Sequence, residues 1–201
     1  MTWLGLACAM FGLAALDVRA QEGAEFTAAE RRSLRGGELV RRQSQRVEGG
    51  ARLIGGTSFI RVRAPVERVF EEITDTSAYP RLIPAVVEAR LVEEHGDRRV
   101  VYLRHELSLV SVGYHVDVRI DRAAHSVRFE LDPTRPHDVR AGRGFLSVSR
   151  YRRTDSIVTW GVMADPGNAV LTSLFGGVIQ DWILRVPWCL RGRLEPGQQG
   201  C

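Results

Sequence analysis

The sequence predicts an α+β protein in which one antiparallel sheet buries a single face under a C-terminal helix. Three observations predict it. Segments between Arg98 and Met163 carry apolar residues at strand spacing, with polar turns between them. From Asn168 to about Arg193, Leu171, Leu174, Phe175, Val178, Trp182, Val186 and Leu190 recur at helical spacing. Between Ser58 and Glu94 the order is strand, helix, short helix, strand. Strands with one dry face need a cover, and the last helix supplies it.

Met1 to Leu16 is nearly all apolar and leads into Val18-Arg19-Ala20, so residues 1–20 read as a secretory signal peptide with a small-residue cleavage site. This places the protein in the periplasm or outside the cell, with an uncleaved N-terminal anchor as the competing reading. Residues 21–50 read as an Arg-rich arm. Within it Thr27-Ala28-Ala29-Glu30 is a capping box, which predicts a short helix from Ala28 to about Arg35 that stops at Gly36-Gly37. Arg31, Arg32, Arg35, Arg41, Arg42 and Arg46 form a basic cluster that could lie on anionic lipid headgroups, although a solvated arm leading into the domain is the plainer reading.

The domain proper spans 51–195 and leaves a tail over 196–201. Its first strand, Ser58 to Arg63, meets Pro65 at the first position of a helix whose Val66, Val69, Phe70 and Ile73 make one apolar stripe. Tyr79-Pro80 and Ile83-Pro84 each push the residue before proline towards an extended conformation, so only a short helical piece fits before the strand Val86 to Glu94. Strands follow at Arg98–Leu107, Val112–Asp121, His125–Leu131, Gly142–Tyr151 and Ser156–Met163. Val112, Tyr114, Val116, Val118 and Ile120 share one face, as do Val127, Phe129 and Leu131. In the last helix Pro187 removes the bond to the Ile183 carbonyl and should bend or end it. Gly176-Gly177 costs roughly 1 kcal/mol per residue, which calls for close approach to the sheet or for space left to a ligand.

The chain has 201 residues, 44% of them hydrophobic and 26% charged, the balance of one globular domain. Its net charge is only +4, and all 28 basic residues are Arg. No nucleic-acid motif accompanies that charge, so nucleic acid is not expected as a partner. Cys189 and Cys201 could pair in an oxidising compartment, but the plainer expectation is two unpaired thiols.

Val62-Arg63-Ala64-Pro65, Val69-Phe70, Ile73-Thr74-Asp75, Tyr79-Pro80 and Ile83-Pro84, in that order, resemble the START-like superfamily (SRPBCC, Bet v 1-like), in its polyketide cyclase/dehydrase and coenzyme-Q-binding branch. The resemblance covers about Ala51 to Glu195. It implies the helix-grip fold, a curved antiparallel sheet around a long C-terminal helix with two short helices after the first strand. It also implies an apolar cavity between sheet and helix for a lipid, sterol, quinone or polyketide, without fixing which.

Tyr114, Val116, Val118, Phe129, Leu131, Trp160, Phe175, Val178 and Trp182 are the expected lining of that space. The leading expectation is binding or transport of a hydrophobic small molecule. One alternative is a cyclase or hydrolase using His105 or His137, with Glu106, Tyr114 or Asp138 beside them. The other is a module that docks its basic arm on a membrane or partner. His95, His105, His115 and His125 are spaced by ten, which is one strand plus a turn rather than a metal pattern, and no cofactor or metal is expected. Whether His105 points inward is undecided, because Val101 and Leu103 flank it on one face and Val100 and Tyr102 on the other.

Overall fold

The computed structural model describes residues 25–107, 110–167 and 169–201, with side chains for all of these but 107 and 169–175. The N-terminal apolar stretch and the side chains of Leu171, Leu174 and Phe175 lie outside that description.

Helix α1 (Ala28–Gly36) opens on the expected capping box: the Glu30 amide donates to Thr27 Oγ1 and the Thr27 amide to Glu30 Oε2. Gly37 ends it in the left-handed conformation. Two strands follow, β1 (Val40–Glu48) and β2 (Ala51–Val62). The arm expected over 21–50 is therefore half strand, since β1 pairs along β2 from Val40 opposite Phe59 to Glu48 opposite Ala51. Two of its basic residues are engaged locally. Arg42 pairs with Glu30, and Arg41 with Asp181 of the C-terminal helix. Strand β2 twists sharply at Gly55-Gly56, both at positive φ; a Cβ on Gly55 would stand 1.9 Å from the Val162 carbonyl oxygen.

Helix α2 (Val66–Thr74), a 3₁₀ turn (Thr76–Ala78) and α3 (Tyr79–Leu82) then lead into β3 (Val86–His95). Pro65 caps α2 from outside, with Val66 as the first helical residue. Strands β4 (Arg98–Leu107), β5 (Val110–Asp121), β6 (Ser126–Leu131), β7 (Ala141–Arg150) and β8 (Ser156–Asp165) complete one eight-stranded antiparallel sheet. Its order is β1-β2-β8-β7-β6-β5-β4-β3. This is the helix-grip architecture.

The C-terminal cover is two helices, α4 (Ala169–Ile183) and α5 (Val186–Leu194). The break falls before Pro187, which sits in the first turn of α5, where a missing N–H costs nothing. The helix does not approach the sheet closely at Gly177, where a Cβ would meet nothing within 4 Å; the residue is exposed and lies away from the cavity wall. Cys189 and Cys201 form a disulfide, their Cα atoms 4.8 Å apart, correcting the expectation of free thiols. It ties the chain end back onto α5.

The main core lies between the inner sheet face and α2 to α5, built on Ile60, Val69, Val101, Val158, Leu184 and Leu190. A smaller cluster of Leu34, Val40, Phe59 and Ile157 packs α1 on the outer face.

Candidate functional site

The inner face of the sheet does not meet α4 and α5 everywhere. A cavity of about 150 Å³ remains, walled by β4 to β8 and closed by Tyr79, Ile83 and Pro84 at one end and Trp182, Ile183, Val186 and Leu190 above. Strand alternation selects its walls. Tyr114, Val116 and Val118 come from one face of β5, Val127 and Phe129 from β6, Leu146 from β7, and Trp160 and Val162 from β8.

Register settles His105. Leu103 stands opposite Tyr114 and His105 opposite Val112, so Leu103 and His105 point inward while Tyr102 lies on the outer face against His115. His105 Nε2 lies 2.7 Å from the Tyr114 hydroxyl, and the two rings stack with centroids 5.5 Å apart. Burial pushes the His105 ring down to about 4, a hydrogen bond to the Pro84 backbone pulling weakly the other way. Pro84 has no N–H, so in that bond the imidazole must donate. With that proton on Nδ1, Nε2 carries a lone pair and the Tyr114 hydroxyl donates to it. Burial also drives the Tyr114 phenol well above its ordinary value. Both groups are neutral at physiological pH.

A second polar contact ties the wall to the cover. Pro187 cannot donate to the Ile183 carbonyl, and the Trp160 indole N–H donates to it instead at 2.7 Å. The same indole stacks on Phe129, with ring centroids 5.1 Å apart. Trp160 thus holds the α4–α5 junction over the cavity while forming part of its wall.

Of the residues expected to line the space, Tyr114, Val116, Val118, Phe129, Trp160 and Trp182 do so. Val178 does not: it is 66% exposed. Gln180 is buried and donates to the Ser44 and Gly55 carbonyls, which turns that side of α4 to the sheet and leaves Val178, about 200° round the helix, in solvent. Leu131 is buried on the same inner face, opposite Val116, but it ends β6 and does not reach the cavity wall. His137 is exposed and its Nδ1 meets the Val139 carbonyl, while Asp138 accepts from the Gly113 amide. Both contacts belong to the loop between β6 and β7, and neither residue lines the cavity. Glu106 is exposed and ion-paired with Arg104. Among the described residues no cluster of His, Cys, Asp or Glu could hold a metal.

Tyr79, Leu82, Ile83, Pro84 and Leu103 also line the cavity. The paired prolines marked the 79–84 segment only as a chain constraint. The His105–Tyr114 pairing had one sequence signal, an odd spacing across a tight hairpin, which places two inward residues diagonally on adjacent strands.

The chain belongs to the family described as polyketide cyclase / dehydrase and lipid transport, whose model matches residues 55–186. Solved structures share the fold. A START superfamily protein from Mycobacterium smegmatis is 15% identical with a TM-score of 0.55, over 69% of this chain and 94% of that one. A STAR-related lipid transfer protein fragment from Xanthomonas axonopodis is 16% identical at TM-score 0.57, over 76% and 98%. The Zhui aromatase/cyclase from Streptomyces sp. R1128 is 14% identical at TM-score 0.54, over 80% and 100%. No curated protein matches the chain.

Proposed function

We propose that this protein binds a small hydrophobic molecule, or the ring end of a larger one, in the cavity between the sheet and α4–α5. The observation that carries the reading is the cavity itself, an apolar space of about 150 Å³ with the His105–Tyr114 pair in its wall. Its size supports a ring-sized ligand. A dry apolar cavity of ~150 Å³ takes one aromatic ring, so an extended acyl chain would enter only if α4 moved. Burying six to eight carbons at ~0.8 kcal/mol each gives about 5–6 kcal/mol, which supports roughly millimolar affinity after the costs of association.

The pair also bears on the alternative of a cyclase-type enzyme, because a desolvated histidine beside a phenol resembles a proton relay. A general base works best with a pKa near the operating pH, and His105 sits far below it at about 4. Orientation of a bound hydroxyl fits these groups better than proton abstraction. An oxidising compartment is part of the proposal, supported by the Cys189–Cys201 disulfide.

Native mass spectrometry of the protein purified from its own host, followed by organic extraction, tests the reading. The expected result is a stoichiometric adduct lost on extraction. An empty protein that also fails to take up any ring-sized apolar compound would overturn it.

A further inference from the structure

The outer face of the sheet carries a second concavity, a groove of about 570 Å³ on the side away from α4 and α5. Three arginines cross its mouth on one rung of the sheet: Arg98 stands opposite Arg119, and Arg119 opposite Arg128. Like charges directly opposed on adjacent strands repel, so a rung of three needs a compensating anion or costs stability. The protein supplies only part of one. Asp117 takes Arg98 at 2.7 Å and reaches Arg119 only at 3.9 Å. Arg119 is three-quarters exposed, and Arg128 makes no ion pair among the described residues. Asp132, which also borders the groove, is taken by Arg135 of the following turn, and Glu130 is the acid that opposes an incoming anion.

We propose that this groove binds a phosphate-type dianion between Arg119 and Arg128. Opposed residues on one face place their Cβ atoms ~5 Å apart, so the two guanidinium forks stand side by side and offer four N–H donors. A carboxylate has two oxygens and is satisfied by one fork, whereas a tetrahedral phosphate engages both. Phe145 and Met163 are buried in the floor of the groove, and Phe145 stands opposite Arg128. The phosphate has two possible sources, a free phosphate ester or a lipid headgroup. Arg41 and Arg42 of the N-terminal arm are, by contrast, already paired with Asp181 and Glu30.

The test is calorimetric titration with inorganic phosphate at constant ionic strength, and sedimentation with phosphatidylcholine vesicles with and without phosphatidic acid. It uses the wild type, Arg119→Gln/Arg128→Gln and Glu130→Gln, with near-UV circular dichroism confirming the fold of each. Loss of two charge-assisted contacts predicts binding at least ~tenfold weaker in the double variant. Removing the opposing carboxylate predicts binding ~threefold tighter in Glu130→Gln, a gain that damage to the fold cannot mimic. Phosphate binding alone identifies a free ester as the source; binding to phosphatidic acid vesicles identifies a headgroup. No binding of either probe, or binding that the double variant keeps in full, overturns the proposal.

Discussion

Replacing Trp160 with Phe should do more than remove a ring from the cavity wall. The indole N–H is the donor to the Ile183 carbonyl, which lies at the α4–α5 break beside the fully buried Leu184. Without it a partly buried carbonyl is left unpaired, at about 1–3 kcal/mol, and the smaller ring adds about 1 kcal/mol of lost packing. The expected loss in urea unfolding is about 2–4 kcal/mol. The carbonyl lacks a helical partner because residue 187 is proline, and Pro187→Ala restores an N–H four residues on. In that background the orphan is relieved, so Trp160→Phe should cost only its packing share. The double-mutant cycle should then show a coupling of about 1–2 kcal/mol. Costs that add to within about 0.5 kcal/mol would refute the reasoning, because Trp160 would then be only a wall residue.

Four further outcomes follow from the structure. His105 is held at about 4 against an ordinary 6.5, so below pH 6.5 the unfolded chain takes up a proton that the folded chain refuses. Stability should fall by about 3 kcal/mol as pH drops from 6.5 to 4, and His105→Gln should flatten that slope in unfolding curves. Gly177→Ala should raise stability by up to about 1 kcal/mol, since its Cβ meets open space and helix propensity improves. Cys201→Ser opens a 12-residue link and should cost about 2–3 kcal/mol in the oxidised protein, and nothing once the wild type is reduced. Tyr114→Phe should erase any preference for p-cresol over toluene, measured by competition, because the hydroxyl beside His105 is the polar partner for a ligand in that wall.

The fold was legible where one face of an element is dry. Val112 to Ile120 alternate cleanly because β5 is covered on one side only, and the Val66, Val69, Phe70 and Ile73 stripe is buried as its spacing demands. Strand β1 escaped because neither of its faces is apolar. Arg41, Gln43 and Gln45 face Asp181 and Gln180, so their burial partners are polar and no hydrophobic period survives. The stripe of α4 failed at Val178 for the same reason, a buried glutamine having set the helix's rotation. At the site, residue identities were readable but their convergence was not. His105 has apolar neighbours on both faces, and only the β4–β5 register turns it towards Tyr114. Cavity size depends on how completely side chains from five strands and four helices interlock, which no local pattern records.

The most direct measurement is a p-cresol titration followed by the fluorescence of Trp160 and Trp182, both in the cavity wall, in the wild type and in Val162→Trp, which fills the space. The account predicts a saturable, one-to-one change in the wild type and none in the filled variant. A wild type that shows no saturable change, or a filled variant that binds as well as the wild type, would contradict it.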